Sequence, residues 1–163
     1  LWGLQAQLRQ AREDPIRIRL PWPTARSCGR AGTDAKARLV MPLCITGPSG
    51  QSTHVAAAIV SGPKPPVIRS IARFEPQNIL TNVDAAGNVD FVLIRDKAID
   101  IASINAQHDH NRPSAIRQLW RGDKSIDSAL LTMSPTGPAV QLLHGDGQER
   151  LIDLGRRQSK PSQ

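Results

Sequence analysis

The apolar residues of this chain fall in short, strand-sized runs broken by turn clusters. From Leu39 onward the runs are Leu39 to Ile45, Val55 to Val60, Val67 to Phe74, Ile79 to Val83, Val89 to Ile94 and Ala98 to Ile104. Between them stand Gly47-Pro48-Ser49-Gly50, Gly62-Pro63-Lys64-Pro65-Pro66, Asp84-Ala85-Ala86-Gly87-Asn88 and Arg95-Asp96-Lys97. Gly, Pro, Asn and Asp clusters at this interval punctuate strands. Val89, Phe91 and Leu93 alternate with their neighbours, and Ile99 and Ile101 flank Asp100. That is the period of a strand, whose side chains point to opposite faces in turn. Asn82-Val83-Asp84 and Asn88-Val89-Asp90 look like the two shoulders of one hairpin.

The clearest stretch is Trp120 to Leu154. Ala129 to Met133, Ala139 to Leu143 and Glu149 to Leu154 are separated by Ser134-Pro135-Thr136-Gly137-Pro138 and Gly145-Asp146-Gly147. This cadence predicts a β-meander. Val140, Leu142, Leu151 and Leu154 are expected to face one core, with Gln141 on the other side. The glycines of the last turn can supply the positive φ of a tight hairpin.

The ends differ. Leu1, Leu4, Leu8 and Ala11 recur at helical spacing until Pro15, which predicts a short amphipathic helix. Ile16, Ile18 and Leu20 alternate with Arg17 and Arg19, as in a half-solvated strand. Pro21 to Ala37 is rich in Gly, Arg, Ser and Thr. Asn111-Arg112-Pro113 reads as the start of a helical turn through Ile116, Leu119 and Trp120. The expected fold is mainly β: a small antiparallel sandwich or barrel-like domain, with a short N-terminal helix and one short helix near 113–120. Its expected organisation is helix and strand in 1–20, linker or loop in 21–38, β-rich domain in 39–154 and a basic tail in 155–163.

Composition sharpens this. The 163 residues and 39% apolar content support one core, yet there are only three Trp, two Phe and no Tyr. Packing must rest on aliphatic residues. The scarcity argues against single-strand nucleic-acid platforms, which stack bases on aromatic faces. The net charge of +7 sits at the ends: +5 over residues 1–46 and +3 over 155–163, against −1 between them. Such ends either solubilise or attract an anionic surface, phospholipid or nucleic acid. The longest fully apolar run has six residues, too few to span a membrane as a helix. The chain opens on Leu1, as expected of a fragment or processed form whose upstream signal or anchor would not be seen.

No motif specifies a reaction. His108-Asp109-His110 is the densest group of metal-ligand types, but a site needs further ligands. His54 and His144 carry no supporting spacing, and a solvated loop is the better reading. Asp84 to Asp90 lacks the alternate oxygen ligands of a calcium loop, because Ala86 interrupts them. Gly47 to Ser52 has neither the spacing nor the Lys of a phosphate loop. Arg121-Gly122-Asp123 reads as a turn. Cys44 could pair with a histidine as a nucleophile, though a buried core residue is favoured. Cys28 and Cys44 could also form one disulfide; the sequence leaves that open, and without a CxxC pair a zinc ribbon is excluded. No catalytic, cofactor-binding or metal residue is assigned, and no cofactor is expected.

Trp120, Gly122, Asp123, Ile126, Ala129, Leu130, Met133, Val140, Leu142, Gly147, Glu149, Leu151 and Leu154 carry a family cadence. It is an aromatic residue, Gly-Asp, strand, turn, strand, Gly turn and Glu-x-Leu strand. It resembles the C-terminal half of the periplasmic homology-region domain of type II secretion C proteins (GspC) and of PilP-like type IV pilus proteins. The resemblance implies a small antiparallel β domain without catalytic activity. It also implies an inner-membrane anchor upstream and a docking surface for an outer-membrane secretin or an inner-membrane platform protein. The expected function is therefore a non-enzymatic interaction module, a periplasmic link in a secretion or pilus envelope complex. The alternatives are a basic nucleic-acid-associated protein and an enzyme or metal protein using the His108–His110 loop.

Overall fold

A computed structural model of the chain describes residues 24–47, 53–105 and 116–155. The helix and strand expected in 1–20, the His108–His110 loop and the basic residues after Gly155 lie outside them.

Twelve strands and no helix make up the described residues. They are β1 (Ala25–Ser27), β2 (Gly32–Thr33), β3 (Leu39–Thr46), β4 (Thr53–Val60), β5 (Val67–Ala72), β6 (Asn78–Val83), β7 (Val89–Ile94), β8 (Ala98–Ile104), β9 (Ile116–Arg121), β10 (Ile126–Ser134), β11 (Gly137–His144) and β12 (Glu149–Asp153). All pairings are antiparallel. The first sheet runs β1-β3-β4-β5 with β2 also on β3; the second runs β6-β7-β8-β9; the third runs β10-β11-β12.

The second sheet is buried on both faces. Val89, Phe91 and Leu93 join Val40, Cys44, Val55, Ala57, Ile59 and Ile71 of the first sheet in one core. Val92, Ile94, Ile99 and Ile101 join Val140, Leu142 and Ile152 of the third sheet in another. The three sheets therefore stack as layers, with the second in the middle. This explains the all-buried β7, Val-Asp-Phe-Val-Leu-Ile. The alternation of Val89, Phe91 and Leu93 marks one of two apolar faces, not the apolar side of a half-solvated strand.

Two carboxylates are buried by this arrangement. Asp100 lies opposite Leu93 and pairs with Arg95 at 2.7 Å. Arg95 in turn stacks over the Phe74 ring, 4.6 Å from its centroid. Asp90 accepts from Ser103 Oγ at 2.6 Å and from Asn82 Nδ2 at 3.3 Å. Burial pushes both carboxyls up; Arg95 opposes this at Asp100, and the Ser103 and Asn82 donors oppose it at Asp90.

The helix expected near 113–120 is corrected where it is described. Ile116 to Arg121 is strand β9, paired with β8. Ile116, Leu119 and Trp120 suggest a helical face by spacing alone. A bulge between Ile99 and Asp100 in the β8–β9 register changes their meaning. The extra residue lets adjacent Leu119 and Trp120 both enter the second core.

The described part of the expected linker is tied down. β1 pairs with Leu43 to Ile45 and β2 with Leu39 and Val40, so both lie along the same edge of β3. Cys28 and Cys44 form a disulfide, which settles the pairing left open above. Asp34 and Asp84 each fold a tight loop around one carboxylate. Asp34 Oδ1 accepts from the amides of Lys36 and Arg38 at 3.0 and 2.9 Å. Asp84 Oδ1 accepts from the amides of Ala86 and Asn88, each at 2.9 Å. The loops dock through Ala35 N–H donating to Gly87 O at 3.0 Å. Gly87 has φ 78° and sits so close that a Cβ there would lie 2.5 Å from that of Ala35. Only glycine satisfies both conditions.

Candidate interaction surface

The third sheet offers a face with no described cover. Register sets its rows: Leu130, Gln141 and Leu151 stand abreast, then Ser128, Leu143 and Glu149, then Thr132, Ala139 and Asp153. The intervening residues Leu131, Val140 and Ile152 point into the second core. Leu130 is 52% exposed and Leu151 50%.

This corrects one expectation. Leu151 is not in the core with Val140, Leu142 and Leu154; Ile152 takes that place. The reason is parity. Val140 pairs with Ile152, so even-numbered residues of β12 face inward.

Polar groups frame the apolar rows. Gln141 Nε2 donates to Glu149 Oε2 at 3.1 Å. At the other end Asp153 accepts from Ser134 Oγ at 2.9 Å and from Thr136 Oγ1 at 3.0 Å. A shallow hollow of about 350 Å³ includes Thr132, Gln141 and Leu151 in its lining. At the β11–β12 turn Lys124 pairs with Asp146 and donates to Gln148 Oε1 at 2.9 Å. The Lys124 contact holds the Asp146 carboxyl below its ordinary range. Gly147 supplies the positive φ of that turn, at 81°, and Gly145 does not.

The edges of the sheets differ in protection. A free edge invites another strand unless charge, proline or cover blunts it. β1 carries Arg26, β5 carries Arg69, β9 carries Arg117 and Arg121, and β12 carries Glu149, Arg150 and Asp153. β6 has no charge, but Thr81 Oγ1 donates to Arg30 O at 2.6 Å, which brings the β1–β2 connection against it. β10 has one charge, Asp127 near its start, and then seven uncharged residues, Ser128 to Ser134. It is the least guarded edge among the described strands.

The residues considered for chemistry are placed as follows. Cys44 is in the disulfide, so the nucleophilic pair is excluded in this state. His144 is buried, with Nδ1 2.9 Å from Ser125 O and its ring 5.7 Å from that of Trp120. His54 stands on β4 opposite Ile45. Arg121-Gly122-Asp123 leaves β9 into the turn that leads to β10, with Gly122 N–H donating to Lys97 O at 2.9 Å. Among the described residues no group of three or more His, Cys, Asp or Glu could hold a metal. Gly47 is described, but 48–52 of that loop are not.

The sequence reading names Leu130 and Leu151 without marking either as exposed, yet a signal exists. Leu130-Leu131, Leu142-Leu143 and Leu151-Ile152 are apolar doublets, one in each strand of the meander. A doublet places an apolar side chain on each face. Compared with protein-family models, curated proteins and solved structures, the chain matches none.

Proposed function

We propose that this chain is a non-enzymatic β-rich interaction module. Its contact surface is the outer face of the third sheet together with the edge of β10. The observation that carries this is Leu130 and Leu151, in one row of that face and each half or more exposed, beside an edge strand with no charge after Asp127. Apolar exposure grouped this way favours a partner. The open edge favours an extended segment that adds as a strand, its alternate side chains resting on the leucines. Two of the residues that could have suggested chemistry are used structurally: Cys44 in a disulfide and His144 against Trp120.

A periplasmic link in a secretion or pilus envelope complex is the setting we favour. Its supports are the family resemblance of Trp120 to Leu154 and the disulfide, which suits an oxidising compartment. A nucleic-acid role has less support, because thirteen Arg and Lys face eleven Asp and Glu among the described residues.

Selection of random peptides against the full chain tests the surface. Enriched peptides should alternate apolar residues and lose binding at least tenfold to Leu130→Lys or Leu151→Lys. Both positions are exposed, so the fold should survive the change. Peptides that bind equally to both variants would place the interaction elsewhere and sink the proposal.

A further inference from the structure

The third sheet is acidic within a basic chain. Residues 126–153 hold four acids, Asp127, Asp146, Glu149 and Asp153, against one base, Arg150. The other described residues hold twelve basic and seven acidic groups. Lys124 takes up Asp146, and Arg150 stacks over Trp120 on the inward side. That leaves Asp127 on β10, and Glu149 and Asp153 on the outer face. None of these three pairs with a Lys or Arg among the described residues. Glu149 accepts from the neutral Gln141, and Asp153 from the hydroxyls of Ser134 and Thr136. Those hydroxyls draw the Asp153 carboxylate towards Ser134, the last residue of β10. A carboxylate therefore stands at each end of the uncharged stretch Ser128 to Met133. The backbone of that stretch has a fixed phase. Pro138 lacks an N–H, and its carbonyl accepts from Leu154 N on the β12 side at 3.0 Å. Its β10 partner Met133 is thus not bonded to it. By alternation Ala129, Leu131 and Met133 turn their amides and carbonyls to the open edge, while Leu130 and Thr132 turn theirs to β11.

We infer that this surface takes a cationic extended segment of a partner protein, whose outer-face side chains read basic, apolar, apolar, basic. The inference rests on the interaction surface proposed above and adds the partner's chemistry. A strand added to β10 places the side chains opposite Ser128, Leu130, Thr132 and Ser134 on the outer face. The two inner positions of the four lie beside Leu130 and Thr132. In an antiparallel addition Leu130 is a non-hydrogen-bonded position, where facing side chains come closest, so an apolar group fits there. The two outer positions lie beside Asp127 and the Asp153 carboxylate, so cationic groups fit there. The pattern is the same read in either direction along the segment. A second copy of this chain would bring the same carboxylates and is opposed by charge. Complementary charge speeds encounter and excludes like-charged partners.

Fluorescence anisotropy on the full chain at low salt tests this with three labelled peptides. They are Lys-Thr-Leu-Thr-Leu-Thr-Lys and the same sequence with Thr or with Glu in place of both Lys. An exposed ion pair is worth a few-fold in affinity, so two should make the Lys-ended peptide bind about tenfold tighter than the Thr-ended one. The Glu-ended peptide should bind most weakly, and added salt should narrow the differences. Asp127→Asn, at an exposed position, should lower the Lys-ended affinity about threefold and leave the Thr-ended one unchanged. Equal affinities for the Lys-ended and Glu-ended peptides, or no binding of the Lys-ended one, would overturn the inference. Leu130→Ser alters no charge and separates the two readings. If it weakens all three peptides while their ends make no difference, the interaction surface stands and the cationic partner falls. If it weakens none, the surface falls and the inference with it. A tenfold gain for the Lys-ended peptide in Arg156→Ser/Arg157→Ser would make the chain's own basic end the occupant and would also overturn it.

Discussion

Replacing Leu142 with Ala tests the layered core and the register of the meander together. Leu142 is wholly buried, abreast of Ala129 and Arg150, and faces the second sheet. Leucine-to-alanine changes in cores cost about 2–5 kcal/mol, more where the surroundings cannot close the cavity. Here one wall is the third sheet and the other is a sheet packed on both faces, so collapse is restricted. The expected cost is about 3–5 kcal/mol, the upper part of that range. Leu151 is the contrast. Full burial of a leucine is worth about 1.5–3 kcal/mol. Leu151 is 50% exposed, and alanine keeps part of what is buried. Leu151→Ala should therefore cost less than about 1 kcal/mol. Ile152→Ala should resemble Leu142→Ala. Urea unfolding with constant m-value would report the differences as midpoint shifts. A Leu151→Ala cost equal to that of Leu142→Ala, with Ile152→Ala nearly neutral, would mean that β12 is slipped by one residue. Every inward side chain of that strand would then be wrong.

Reduction of the disulfide, or Cys28→Ser/Cys44→Ser, should cost roughly 3 kcal/mol for a loop of this length, seen as a lower unfolding midpoint. It should also speed tryptic cleavage after Arg26 and Arg30, the sites between which Cys28 anchors the chain; an unchanged rate would mean that β1 and β2 hold without the bond. Asp84 and Asp90 should show opposite pH signatures. Burial raises the Asp84 carboxyl, but donors from Asn88, Ala86 and Gly87 outweigh it and hold the pKa below 3.8. Its ionised form therefore stabilises the fold above that value, and the advantage over Asp84→Asn, about 1 kcal/mol, should fade as pH falls through the lowered pKa. Asp90 is raised by burial, so the folded state binds its proton first, and the wild type should gain on Asp90→Asn as pH falls from neutral towards 3.8. Thermal melts from pH 7 to pH 3 would check both, and parallel curves for the two variants would refute the assignment.

The strand positions were legible because turn residues carry their own chemistry. Asp84 and Gly87 form the turn that Asp-Ala-Ala-Gly-Asn suggests, and Gly87 supplies its positive φ. Stacking of the sheets was not legible. Alternation in β7 and β8 resembles a half-solvated strand, because Asp90 and Asp100 occupy the positions that solvent would favour. Only the partners Ser103, Asn82 and Arg95 make their burial tolerable, and these come from β8, β6 and the β7–β8 turn. The β9 error has a similar origin. Ile116, Leu119 and Trp120 fit a helical face and a bulged strand equally, and the bulge is set by β8. The face of Leu151 was misjudged within the strand itself. Leu151 and Leu154 are three apart, so a regular strand puts them on opposite faces. Residues 24–33 looked like linker because short strands held by a disulfide need no apolar run of their own.

The middle sheet also bears on the proposed interaction surface. β7 contributes Val89, Phe91 and Leu93 to one core and Val92 and Ile94 to the other. The inner face of the third sheet is thus packed against a strand that is itself fixed from behind. Arg117 adds a tie, donating from the second sheet to Leu154 O at 3.1 Å. At the far end Arg150 stacks over Trp120, 5.8 Å from its ring centroid. These contacts hold β11 and β12 at both ends of the sheet. Leu130, Leu143 and Leu151 are therefore presented on a backbone whose other side is locked. A partner strand meeting β10 would find the leucines already in place and would have mainly its own chain to order. Preorganisation of this kind lowers the cost of binding more than added contact area does.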